Sequence, residues 1–403
     1  MDGLMTNEFQ SHRETLWSRN LFCLASCQMT YTAAGAVCLV VSGLAGFYLA
    51  DHKILATLPF ALIHVATALV TFPLSLLMQR LGRKTCFIFG SFAGLAAAIL
   101  CMTAIVVQSF PLLCAGSAVF GVFQATSEYY RFAAAESVAE SAIRQAVAWT
   151  IGLSLVGVLV GPQFGALLDA VLAPPMFLGS YTAVALFSVS SAILAFGIED
   201  KRSRVPVAHV GRSLGSALKR PTVGLALTAS GVAFGVMVTA MTALPVAAVG
   251  CGLSVGATGG IIQLHLIGMF IPSMFASRLV SKYSARQLLS AGGIVMIGGL
   301  GCLFEAKAFI PFALGLFLVG AGWNFVYVSA TEILARIPDP EERATAQGFN
   351  ELLEFAIIAV CALGAGAFYV LMGWNILIVA LAATSFCLLG VILASAVKPR
   401  FAP

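Results

Sequence analysis

The stretch ILATLPFALIHVATALVTFPLSLLMQRLGRK, residues 54–84, decides the fold. Residues 54–79 carry no charged side chain and are longer than the roughly 20 residues a helix needs to cross a bilayer; Arg80, Arg83 and Lys84 then end the run abruptly. An apolar segment closed by basic residues reads as a membrane span with its end held at a headgroup surface.

Working outward, the same pattern recurs along the chain. Candidate spans cover residues 20–48, 54–79, 85–107, 110–135, 142–168, 175–198, 221–250, 254–278, 287–304, 309–335, 344–370 and 375–397. Backbone groups in lipid must be satisfied internally, and no ten-residue alternating strands occur, so the expected class is an all-α polytopic membrane protein with twelve transmembrane helices. The composition agrees, since 60% of the 403 residues are apolar and 10% are charged, against about a quarter charged in soluble chains.

Of the 22 Lys and Arg residues, all but Lys53, Lys307 and Arg131 fall in alternate loops on one side. That asymmetry places both termini in the cytoplasm, and the inner (plasma) membrane is the expected location. The net charge of +5 is then a topology signal, and no nucleic-acid partner is expected. Residues 1–19 lack a signal-peptide pattern and read as a cytoplasmic tail, as do 398–403.

Sliding the sequence by 199 residues lays His64 on Gln263, Arg83 on Lys282, Gly121 on Gly320, Arg144 on Arg343 and Gly165 on Gly364. Two pseudo-symmetric six-helix halves, 20–198 and 221–397, follow, joined by a basic cytoplasmic linker at 199–220. Related halves around a midplane site are the architecture of many secondary transporters.

Two motifs carry a family resemblance. After span two, Ser75 to Lys84 resembles the cytoplasmic loop signature of the major facilitator superfamily through Arg80, Gly82, Arg83 and Lys84, with Ser75 and Gln79 replacing its usual Gly and Asp. In span five, Gly157, Gly161, Pro162 and Gly165 resemble that family's antiporter signature, which is associated with export. In the family the missing Asp contributes to a latch between halves, so the usual latch is altered here. The family's span-four Arg stands near position 117, which here is Ser117. Without the family, glycines at i, i+4 and i+8 make a flat face for a neighbouring helix, and Pro162 can bend the span, so close packing and a gating hinge both remain open.

Ionisable residues at membrane depth are functional candidates because each is costly to insert. In span four, Gln124, Glu128 and Arg131 are expected on one helical face. The pair reads either as structural or as a switch in which Glu128 takes a proton or Arg131 binds an anionic group; Arg131 keeps its own proton. In span eleven, Gln347, Asn350, Glu351 and Glu354 share a face, and two carboxylates one turn apart repel until one is protonated. Glu354 and Glu351 are therefore proton-coupling candidates beside Glu128. Glu332, four residues before Arg336, reads as a helix-end or gate contact.

Substrate-binding candidates are Gln124, Arg131, Trp149, Trp323, Asn324, Tyr327, Asn350, His64, His265 and Gln263. The aromatics could serve packing alone, and each histidine could serve as a helix-to-helix hydrogen bonder. The gating candidates are Arg80, Gly82, Arg83, Lys84 and Glu332 with the span-five motif. No phosphate-binding loop, metal site or cofactor is expected, and Cys23 with Cys27 makes only a weak pair. The sequence thus points to a secondary transporter and not an enzyme: a monomer moving a small molecule by alternating access, with H+ coupling, leaning to export by antiport. Uptake of a nutrient, vitamin or metal chelate is the alternative, and a membrane sensor or scaffold without flux the third.

Overall fold

The computed structural model describes residues 19–138, 143–199, 214–274 and 282–395. The expected tails, most of the linker and Arg278 lie outside the described residues. Twelve helices are long and apolar enough to cross a membrane, and no strand occurs among the described residues. They are α1 (Arg19–Leu49), α2 (Leu58–Leu81), α3 (Arg83–Val106), α4 (Phe110–Ser127), α5 (Ile143–Leu172), α6 (Leu178–Phe196), α7 (Pro221–Gly250), α8 (Val255–Met274), α9 (Ala285–Leu303), α10 (Phe309–Ala335), α11 (Pro340–Met372) and α12 (Trp374–Ala394).

Local sequence sets several of the boundaries. Ser109 caps α4 by accepting from the Leu112 N–H, with Pro111 in the first turn. Ser284 and Gln287 form a capping box at α9, and Asp339 caps α11 through the Glu342 N–H at 2.8 Å. Gly82 alone joins α2 to α3 at φ 87° and ψ 155°, a backbone region essentially restricted to glycine. Gly373 makes the same kind of joint between α11 and α12 at φ 83° and ψ 167°.

The chain forms two compact units, 1–50 with 62–205 and 51–61 with 206–403. Within the first, α1 packs on α5 and α6, while α3 packs on α4 and α6. Within the second, α7 packs on α11 and α12, and α9 on α10 and α12. These are equivalent pairs under the half-chain repeat. Segment 51–61 belongs with the second unit, where Thr57 donates to the Ala362 carbonyl and accepts from the Gly366 N–H, each at 3.2 Å.

Helices α3, α6, α9 and α12 turn large apolar side chains outward, among them Phe92, Ile193, Ile294 and Phe386. Such an exterior suits lipid. Several interior hydroxyls are settled within their own helices, Thr67, Ser91, Thr150 and Ser188 each donating to the carbonyl one turn back. The ten cysteines are all free thiols; Cys251, after α7, and Cys387, on α12, are exposed.

Candidate functional site

In the first unit the site is assembled by a close helix crossing. A Cβ on Gly121 would lie 2.5 Å from the Ile63 carbonyl oxygen, so only glycine lets α4 approach α2 this closely. Thr67 locks the crossing by donating to the Gly121 carbonyl at 3.1 Å. One turn further along α4, Gln124 Nε2 then stands 3.4 Å from His64 Nδ1. Tyr31 of α1 closes the group with an edge contact to Phe123, centroids 5.3 Å apart, and a looser stack on Phe120 at 6.4 Å.

Span four is not one continuous helix. α4 ends at Ser127, Glu128 is its C-cap, and a separate short helix covers Tyr130–Glu136. The single face expected for Gln124, Glu128 and Arg131 is therefore interrupted. Glu128 and Arg131 still meet, at 3.8 Å, with their side chains 32% and 34% exposed. That separation and exposure make a weak pair. Tyr129, in the break, donates from its hydroxyl to the Thr71 carbonyl at 3.0 Å and ties the interruption to α2.

In the second unit, Glu354 of α11 is buried, and its Oε1 accepts from Ser230 Oγ of α7 at 2.6 Å and Asn350 Nδ2 at 2.5 Å. Both bonds are charge-assisted when the carboxylate is ionised. One turn along α7, Phe234 stands edge-on to Trp323, centroids 4.9 Å apart. Trp323 and Tyr327 of α10 stack at 5.1 Å with 13° between their planes. The Trp323 indole N–H and Asn350 Oδ1 are buried without a hydrogen-bond partner among the described residues, and Asn324, beside Trp323, is buried as well.

The other predicted residues are dispersed. His265 is fully buried, with Nδ1 2.7 Å from the Leu316 carbonyl oxygen, an α8–α10 hydrogen bond. Gly320 lets those helices meet, since its Cβ would lie 2.7 Å from the His265 carbonyl oxygen. Gln263 is buried on α8, while Trp149 on α5 is exposed. Glu351 is half-buried one turn from Gln347. Glu332 pairs with Arg336 at the end of α10, and Arg80, Gly82, Arg83 and Lys84 sit at the α2–α3 joint. On α5, added Cβ atoms at Gly157 and Gly161 would each lie 2.3 Å from α1 carbonyl oxygens, of Met29 and Ala33. Those glycines are occupied by helix packing, whereas Gly165 makes ordinary contacts from 3.4 Å and Pro162 lies inside the helix. Among the described residues no group of three His, Cys, Asp or Glu is placed to hold a metal ion.

Sequence reasoning missed Tyr31, Ser230 and Phe234. A signal existed, because Tyr31 and Ser230 are separated by the same 199 residues as the two halves.

The sequence profile of the Major Facilitator Superfamily matches residues 21–356. The chain belongs to that superfamily. It is a multi-pass membrane transporter of a small molecule and not an enzyme. Its superfamily relatives include the riboflavin transporter RfnT of Brucella anthropi, 29% identical over 89% of this chain and 90% of that protein. An uncharacterized MFS-type transporter of Bacillus subtilis, YdeG, is 25% identical over 85% of this chain and 83% of that one. Among solved structures, the nucleoside transporter NupG aligns with a TM-score of 0.73 at 12% identity, covering 93% of this chain and 99% of NupG. The transporter FucP in its outward conformation aligns with a TM-score of 0.58 at 14% identity, over 92% of this chain and 98% of FucP. At these identities the two structures speak for the fold.

Proposed function

We propose that this superfamily member is an inner-membrane secondary transporter, with both termini in the cytoplasm, that takes up a planar heteroaromatic solute of the vitamin class by alternating access, with protons coupled through Glu354. Riboflavin is the first candidate. The observation that carries this reading is the second-unit cluster of Phe234, Trp323 and Tyr327 beside two unpartnered buried polar atoms. Flat aromatic side chains favour a flat ring, with stacking worth about 0.5–1.5 kcal/mol per pair beyond the area it buries. The Trp323 N–H can donate to a ring carbonyl, and Asn350 Oδ1 can accept from a ring N–H. An imide edge, such as that of the riboflavin ring, offers both groups. The similarity to a riboflavin transporter supports the same class.

Proton coupling is supported by the placement of Glu354. It is a buried carboxylate on α11 that accepts from the Ser230 hydroxyl and the Asn350 amide, and a carboxyl at membrane depth is less costly to bury when it is protonated. The test is uptake of labelled riboflavin by the purified protein in proteoliposomes, with and without an inward proton gradient, competed by unlabelled riboflavin and by its N3-methyl derivative, which lacks the imide N–H. Gradient-stimulated uptake, blocked by riboflavin and at least tenfold less well by the derivative, is the expected result. No riboflavin flux under either gradient sinks the substrate assignment.

Export by antiport is the second reading, favoured by the resemblance of Gly157 to Gly165 to the antiporter signature. Accumulation driven only by a proton gradient of the opposite sign, in vesicles of known orientation, would select it.

A further inference from the structure

The interior of the first unit holds a small cavity of about 10 Å³ that adjoins the Tyr31 group of the candidate site through Phe120. Five helices supply its lining, with Cys38 and Ser42 from α1, Ile63 from α2, Cys101 from α3, Ser117 and Phe120 from α4, and Tyr181 from α6. None of these residues is more than 4% exposed. The volume is close to the roughly 10–15 Å³ that a cavity needs to hold a single water.

Three hydroxyl oxygens on this wall, Ser42 Oγ, Ser117 Oγ and Tyr181 Oη, have no hydrogen-bond partner among the described residues. Tyr181 lies within interaction range of Ser42, and Ser117 of the Cys101 thiol, yet neither contact reaches hydrogen-bond geometry. This breaks the pattern elsewhere in the unit, where Thr67, Ser91, Thr150 and Ser188 satisfy themselves on their own helix backbones. A buried hydroxyl without a partner costs about 1–3 kcal/mol. Three of them around one water-sized space are therefore a group that a single shared partner would satisfy.

We propose that this cavity binds one water molecule, which bridges Ser42, Ser117 and Tyr181 and joins α1, α4 and α6 at one depth. A water needs two to four polar partners to stay in a protein interior, and this wall offers three oxygens with two thiols behind them. Each hydroxyl can donate or accept, so three of the water's four hydrogen-bonding positions can be used by the hydroxyls.

The deciding measurement is a structure of the unmodified protein in lipid nanodiscs at a resolution that orders internal waters. One density peak within about 2.7–3.2 Å of all three oxygens is expected. A peakless cavity overturns the proposal, as does direct bonding of Tyr181 to Ser42. Thermal unfolding of the mild variants gives a second readout with opposite signs. With the water, Tyr181→Phe or Ser42→Ala leaves the remaining members underbonded and lowers the melting temperature by about 2–4 °C. The triple variant Ser42→Ala, Ser117→Ala, Tyr181→Phe then loses less than the sum of the singles. Without it, each single substitution removes an unsatisfied group and raises the melting temperature, which also overturns the proposal.

Discussion

Replacing Glu354 in two different ways separates its structural role from its proposed coupling role. Its Oε1 accepts from Ser230 and Asn350 at 2.6 and 2.5 Å. Glu354→Gln keeps an oxygen at that position and so keeps both bonds, now between neutral groups. A charge-assisted bond is worth about 1.5–3 kcal/mol and a neutral one about 0.5–1.5, so two bonds lose roughly 2–3 kcal/mol. Relief of the buried carboxylate's desolvation offsets much of that loss, leaving a net change of about 1 kcal/mol. Glu354→Ala instead strands the Ser230 hydroxyl and the Asn350 amide, at about 1–3 kcal/mol each. The expected order of thermal stability in detergent is therefore unmodified, then Gln slightly below, then Ala well below. In proteoliposomes a one-unit inward proton gradient stores about 1.4 kcal/mol per proton, enough for tenfold accumulation. The Gln variant is expected to lose this accumulation while still exchanging labelled for unlabelled solute across equal pH. Accumulation at the unmodified level in the Gln variant would refute coupling through Glu354. An Ala variant as stable as the Gln variant would refute the hydrogen-bond argument.

Three further outcomes follow from geometry. Gly373→Ala places a Cβ where no atom lies within 4 Å, so its cost is backbone strain at φ 83° alone, about 1–3 kcal/mol in a thermal-shift assay. Gly161→Ala drives a Cβ against the Ala33 carbonyl and lowers stability by about 1–3 kcal/mol. In the same helix Gly152→Ala meets nothing and raises stability by about 0.5–1 kcal/mol, so equal effects at the two sites would be inconsistent with α1–α5 packing. Trp323→Phe keeps an aromatic ring but removes the N–H; by tryptophan-independent binding it is expected to weaken riboflavin about 3- to 10-fold, from a hydrogen bond of about 0.5–1.5 kcal/mol. Trp323→Ala, which also removes the stack with Tyr327, should weaken it further.

The spans were legible because lipid imposes one requirement everywhere along them: long apolar runs ended by charge. Gly121 and Gly320, which the 199-residue offset pairs, are each pressed against a carbonyl, of α2 and of α8. The break at Glu128 and Tyr129 was not legible, since no Pro or Gly marks it and it is tied down by a tertiary bond from Tyr129 to Thr71. Ser230 was invisible for a similar reason. A serine in an apolar helix ordinarily bonds its own backbone, and only the packing of α7 on α11 gives it Glu354 as a partner. Charge scarcity drew attention to Glu354; its bonds from Ser230 and Asn350 come from uncharged residues that carry no such signal.

Cys251 is exposed just after α7, while Cys387 lies on the apolar outer side of α12 and the remaining eight thiols are buried or half-buried. A thiol reacts with maleimides through its thiolate, which forms readily in water and poorly in hydrocarbon. The chain thus carries a natural single-address handle in a loop opposite the basic ones. A membrane-impermeant maleimide added to intact cells would report the sidedness of that loop directly, with Cys251→Ser as the blank and no cysteine-free background to engineer.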